Sequence, residues 1–137
     1  VIGLNPKQLA TLPDGIVGLQ RTANVEELAA WYSLADVFVN PTYEDTYPTT
    51  NLEALSCGAP VVTYRTGGSP ESVTAETGRV VEKGDLEALV RAIDELCAED
   101  RDAMRRRCRD YAEVHFDNRN CFAKYIALYE KLINKTK

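Results

Sequence analysis

The stretch "DVFVNPTYEDTYPTTNLEALSCGAPVVTY", Asp36 to Tyr64, sets two short apolar runs on either side of a polar interval marked by prolines. Val37–Asn40 and Val61–Tyr64 are apolar on both parities, the pattern of strands covered on both faces; a half-exposed strand would alternate. The interval between them begins as a hydroxyl-rich loop and ends in Leu52-Glu53-Ala54-Leu55, room for about two turns of helix. Strand, helix and strand in so short a span is the repeating unit of a parallel sheet. The fold class expected is therefore α/β, an open, mostly parallel sheet with helices on both faces.

Outward from this unit the pattern repeats. Val1–Leu4, Ile16–Leu19 and Arg79–Val81 read as further strands. Asn24 is a natural N-cap with Glu27 three residues on, and Val25, Leu28, Ala29 and Tyr32 form the apolar stripe of the helix that follows. Asp85 opens another, with a stripe of Leu86, Leu89, Val90, Ile93 and Leu96. From about residue 99 to 137 the chain reads as a helical tail of two segments, near Arg101–Val114 and Arg119–Asn134. Met104, Cys108, Tyr111, Ala112 and His115 line one segment, and Phe122, Tyr125, Ile126, Tyr129 and Ile133 the other.

Composition narrows the function. At 137 residues the chain is the size of one domain and buries a core without staples. Sixteen basic against twenty-one acidic residues give a net charge of −5, and the basic run Arg105–Arg109 lies between acids, which argues against nucleic acid as a partner. No apolar run is long enough for a transmembrane segment, and the N-terminus lacks the features of a signal peptide, so a cytoplasmic location is expected. Four cysteines without a C-x-x-C pair, beside one histidine, suggest neither a zinc site nor a disulfide framework, and each cysteine is expected as a small buried hydrophobe. The chain opens directly on an apolar run, and its one methionine is Met104, so it reads as part of a longer protein.

In an open parallel sheet, ligands bind beyond the carboxyl ends of the strands. That points to Pro41–Thr50 and to Thr66–Pro70. The first loop presents Glu44 and Asp45 and enters a helix at Pro48–Thr50, where unpaired N–H groups favour an anion such as phosphate. Carboxylates beside such a site suit hydroxyl partners, a sugar ring or a ribose. Thr50-Asn51-Leu52-Glu53 equally matches a capping box that needs no ligand. In the second loop Gly67 and Gly68 allow close backbone approach, with Ser69 as N-cap and Pro70 as first helical residue. This is a phosphate contact or merely a tight connection. Asp100-Arg101-Asp102 sits where acids cap a helix and is not read as a metal site.

Read together, "ADVFVNPTYEDTYPTTNLEALSCGAPVVTYRTGGSPESV" and "TGRVVEKGDLEALVRAI" resemble the C-terminal, nucleotide-sugar-binding domain of GT-B glycosyltransferases of the retaining family 4. The resemblance implies a Rossmann-like half of a GT-B fold, with its first βα unit and an N-terminal acceptor-binding domain upstream of this chain. It also implies a pair of acids separated by seven residues, the first contacting the donor sugar and the second the nucleotide's ribose. Glu53 takes the second place by its Leu-Glu-Ala setting. Eight positions back stands Asp45, two before Tyr47, where the family has a glutamate; with Glu44 alongside, either acid is a candidate for the sugar. Tyr47, Pro48, Thr49 and Thr50 stand where the family's backbone amides hold sugar and diphosphate, and Pro48, lacking an N–H, only shapes the turn. Arg21 and Thr22 correspond to the nucleobase loop.

What the resemblance implies for the intact enzyme is transfer with retention from a UDP-, GDP- or similar nucleotide sugar to a glycan or lipid-linked acceptor, in surface polysaccharide synthesis, without a metal or other cofactor. The chain alone is then expected to be inactive. The Phe122–Ile133 face would cross toward the missing domain and favour self-association when uncovered, and the intact enzyme would be a candidate for peripheral membrane association. The alternative is a non-catalytic α/β nucleotide-binding or regulatory module. A receiver of that kind needs a phosphorylatable aspartate at a strand end, whereas the strand ends here are Leu4, Leu19, Asn40 and Tyr64.

Overall fold

A computed structural model describes residues 1–135; Thr136 and Lys137, the end of the expected tail, lie outside the described residues. The elements are α1 (Pro6–Leu9), α2 (Val25–Leu34), β1 (Phe38–Asn40), α3 (Thr49–Ser56), β2 (Val61–Tyr64), a 3-10 turn (Ser69–Ser72), β3 (Gly78–Val81), α4 (Leu86–Cys97), α5 (Arg101–Phe116) and α6 (Asn118–Lys135). The three strands form one parallel sheet in the order β1-β2-β3, with Phe38 opposite Val61 and Val61 opposite Gly78.

All four residues of the central strand are buried, so both of its faces are covered, as its unbroken apolar run required. Val61, Val62, Ala54 and Leu55 have no exposed surface, and α3 packs on β1 and β2 while α4 packs on β2 and β3. Truncating a side chain such as Leu55 to alanine in such a core costs about 2–5 kcal/mol.

The expected strands Val1–Leu4 and Ile16–Leu19 shrink to a single parallel bridge between Ile2 and Leu19. Val1, Ile16 and Val17 are 68%, 46% and 66% exposed, so little burial rewards a longer ladder here. Between them lies α1, capped by Asn5, whose side chain accepts from Gln8 N while Gln8 returns a bond to Asn5 N.

The two helices of the tail part company. In α5, Met104, Cys108 and Ala112 are buried, and the helix packs along α3. Arg101, Arg105 and Arg109, four residues apart, donate to the carbonyls of Leu34, Ser33 and Ser56, the last turns of α2 and α3. Arginines at helix C-termini satisfy orphan carbonyls and oppose the helix dipole. The basic run is thus largely spent inside the fold, with Arg107 paired to Glu99. By contrast Phe122, Tyr125, Ile126, Tyr129 and Ile133 of α6 are 58–64% exposed. Among the described residues no helix is long and apolar enough to cross a membrane.

Several local expectations need correction. Only Cys108 is buried; Cys57 and Cys121 are half-buried and Cys97 is exposed, because Cys97 falls on the outer side of α4. Burial pushes the Cys108 thiol up to about 12. In α4 the inward face is Leu89, Ala92, Ile93 and Leu96, with Leu86 and Val90 turned outward. His115 is exposed and stacks on Tyr111 at 4.4 Å. Asp100 caps α5 through Ala103 N, as its position predicted.

Candidate functional site

β1 ends at Asn40, and the acidic loop leaves from the carboxyl end of the sheet. Two bonds tie it to the loop after β2: Thr66 Oγ1 donates to Thr42 O at 3.0 Å, and Gly68 N to Thr46 O at 3.0 Å. Tyr43 lies edge-on to Tyr64 of β2, with centroids 5.7 Å apart, and the Lys83 ammonium stands 5.0 Å from its ring. A Cβ on Gly67, whose φ is +48°, would lie 1.8 Å from Asp45 O, and one on Gly68 would lie 2.2 Å from Thr46 O. The paired glycines therefore let the two loops press together, and their backbone contacts are with the acidic loop. Ser69 is the first residue of the 3-10 turn, not its cap, and Gly68 holds the cap position.

Within the acidic loop, Asp45 Oδ1 accepts from Tyr47 N at 3.0 Å, a local turn that pre-sets the approach to α3. Glu44 is exposed, and its carbonyl accepts from Thr42 Oγ1. Glu44, Asp45, Tyr43, Thr46 and Gly67 line one open hollow of about 450 Å³. The amide of Tyr47, expected to face a ligand, is instead taken by Asp45. Partial burial raises the pKa of the Tyr47 hydroxyl.

α3 begins two residues earlier than the capping-box reading requires. Thr49 is its first residue and Pro48 its N-cap, with no side-chain cap. Thr50 is therefore inside the helix and the box with Glu53 does not form. The amides of Thr49 and Thr50 have no hydrogen-bond partner among the described residues. A proline cap leaves the positive end of the helix dipole unanswered by protein.

Glu53 turns toward α2, where Tyr32 OH donates to its Oε2 at 3.1 Å. Tyr32 is 9% exposed, with its ring edge-on to Phe38 at 5.3 Å. Burial first, then the Glu53 charge and the hydrogen bond, push its hydroxyl pKa well above the usual phenol range. A groove of about 400 Å³ between the two helices is lined by Val25, Leu28, Tyr32, Thr49, Glu53 and Phe116, among others. Arg21 and Thr22 lie in the loop just before α2, whose first residue, Val25, lines this groove; Arg21 is exposed. Asn24 caps α2 through Glu27 N, while Glu27 reaches Ala23 N, one residue before the predicted box bond.

Beneath the loops is a buried polar knot. Asn51 is fully buried; its Nδ2 donates to Ser69 Oγ at 3.1 Å and Ser72 Oγ at 3.0 Å, and its Oδ1 accepts from Asn40 Nδ2 at 2.9 Å. Thr63 joins Asn40 O and Ser69 Oγ. No buried side-chain polar atom among the described residues is left unsatisfied. The knot locks the first turn of α3 to both strand ends. The sequence reading missed Asn51 and assigned Tyr32 only to an apolar stripe. A helix-borne amide and a stripe aromatic carry no mark of their partners.

The model of the family described as "Glycosyl transferases group 1" matches residues 1–99, which include the acidic loop, the start of α3 and Glu53. The chain belongs to that family. Among similar proteins, a GDP-mannose-dependent alpha-(1-6)-phosphatidylinositol monomannoside mannosyltransferase of Mycolicibacterium smegmatis is 40% identical over 86 residues, 57% of this chain and 22% of that protein. The capsular polysaccharide biosynthesis glycosyltransferase CapM of Staphylococcus aureus is 26% identical over 116 residues, 82% of this chain and 30% of CapM. In structure, sucrose-phosphate synthase from Thermosynechococcus elongatus superposes with a TM-score of 0.78 at 29% identity, covering 93% of this chain and 33% of that one. This group 1 glycosyl transferase chain thus spans about a fifth to a third of these relatives, and its sheet and helices match the Rossmann-like half of a GT-B fold.

Proposed function

We propose that the chain is the donor-binding part of a retaining glycosyltransferase that moves a sugar from a nucleoside diphosphate to a glycan or lipid-linked acceptor. The observation that carries this reading is the uncapped start of α3, with two free amides directly after the acidic loop and one turn before Glu53. In this reading the Thr49 and Thr50 amides receive the diphosphate, Asp45 with Glu44 beside it receives sugar hydroxyls, and Glu53 receives the ribose diol. Arg21 and Thr22 border the nucleobase, and Tyr47 and Pro48 shape the turn. That the relatives include a GDP-mannose-dependent enzyme and a capsular polysaccharide enzyme supports a nucleotide sugar as donor and surface glycan synthesis as the role.

Mechanistically, the leaving diphosphate is stabilised by backbone N–H groups and the helix dipole, which favour the charge that develops as the glycosidic bond breaks. The transition state is oxocarbenium-like, and the reading requires no metal or other cofactor. The acceptor is held by a domain outside this chain, so the chain alone transfers no sugar. The working location is the cytoplasm, at the inner face of the membrane when the acceptor is lipid-linked.

The test is Glu53→Ala in an enzyme that carries this chain together with an acceptor domain. Loss of a charged hydrogen bond predicts a roughly 10- to 100-fold fall in kcat/KM for the donor. Unchanged transfer would remove Glu53 from the site.

A further inference from the structure

The Tyr32–Glu53 bond joins two helices across the groove, and the capping box that would have held Glu53 on its own helix is absent. Glu53 is exposed as a residue, yet one of its oxygens is held by a side chain that is itself buried and wedged against Phe38 of β1. Oε1 has no protein partner among the described residues. A free glutamate samples many rotamers and must give up that freedom when it binds; one held from a rigid neighbour has already given it up.

We propose that Tyr32 is a positioning residue that holds the Glu53 carboxylate ready for the hydroxyl pair of the donor's ribose, so that discrimination for ribose depends on α2 as well as α3. This rests on the ribose reading of Glu53 given above. A packing role alone would leave Tyr32 important for stability and indifferent to the ligand's hydroxyls. A positioning role makes its effect vanish when either those hydroxyls or the Glu53 carboxylate is removed.

The experiment is a double-mutant cycle in an enzyme that carries this chain together with an acceptor domain, read by NMR titration with GDP and UDP and with their 2′,3′-dideoxy forms. Tyr32→Phe keeps the ring on Phe38 and removes only the donor, and the amide shifts of the β2 core check that the fold is retained. The expected result is ribonucleotide binding weakened roughly three- to tenfold, the loss that follows from freeing one flexible side chain, with dideoxy binding unchanged. In a Glu53→Ala background Tyr32→Phe should add nothing. Equal weakening of both forms, or an effect that persists without Glu53, would overturn the positioning role while leaving Glu53 in place. Ribose discrimination that survives Glu53→Ala would overturn the ribose reading itself, and the Tyr32 proposal falls with it.

Discussion

Asp45 and Glu53 stand eight positions apart on either side of one helix start, and they are held in opposite ways. Asp45 is fixed locally, by the amide of Tyr47 in its own loop, and that loop in turn rests on the backbone of Gly67 and Gly68. Glu53 is fixed from a distance, by Tyr32 twenty-one residues away on another helix. The first arrangement depends on two loops fitting together; the second depends on the packing of α2 against α3. A disturbance of the loops should therefore reach Asp45, proposed to meet the sugar, and spare Glu53, proposed to meet the ribose.

The largest effect expected comes from breaking what both ends share. Asn51 anchors α3 to Asn40, Ser69 and Ser72, so Asn51→Ala leaves buried polar partners unpaired and should cost about 3 kcal/mol of stability, read as a lower denaturant midpoint. Retained stability would mean the knot is dispensable and the two ends are supported independently. Next, Gly67→Ala places a Cβ against Asp45 O, a collision of backbone that only displacement of the acidic loop relieves. Amide shifts should move from Tyr43 to Tyr47 and leave Glu53 in place, with donor kcat/KM down by roughly tenfold or more. The smallest effect separates the two neighbouring acids. Asp45→Ala should lower donor kcat/KM roughly tenfold and Glu44→Ala no more than about threefold, because Asp45 both frames the turn and keeps the spacing to Glu53. The reverse order would assign the sugar to Glu44.

Much of this fold was readable residue by residue. The apolar runs at Val37–Asn40 and Val61–Tyr64 predicted parallel strands, of which the second is buried throughout and the first, at the sheet edge, half-buried, and Asn24, Asp85 and Asp100 all cap the helices they were expected to open. Where the reading departed from the structure, the reason is tertiary. Thr50-Asn51-Leu52-Glu53 has the letters of a capping box, but the helix begins at Thr49 and Glu53 finds a partner on α2. Ile16 and Val17 have strand composition without a buried face, and they do not extend the sheet. The glycine pair was legible as a phosphate contact or as a tight connection, and only the fold shows that it makes room for the acidic loop.

The sequence by itself determined the βα order and the position of the acidic loop at a strand end, since periodicity and caps are local properties of the chain; the pairing of Asp45 with Glu53 is what the family resemblance implies. Only the tertiary structure decided what holds each acid, which half of the helical tail joins the core, and that Asn51 and Tyr32 tie α3 to its neighbours. Those outcomes depend on contacts between residues distant in sequence. A hydrogen bond from Tyr32 to Glu53, or a stripe of arginines on the ends of α2 and α3, exists only once the helices have packed.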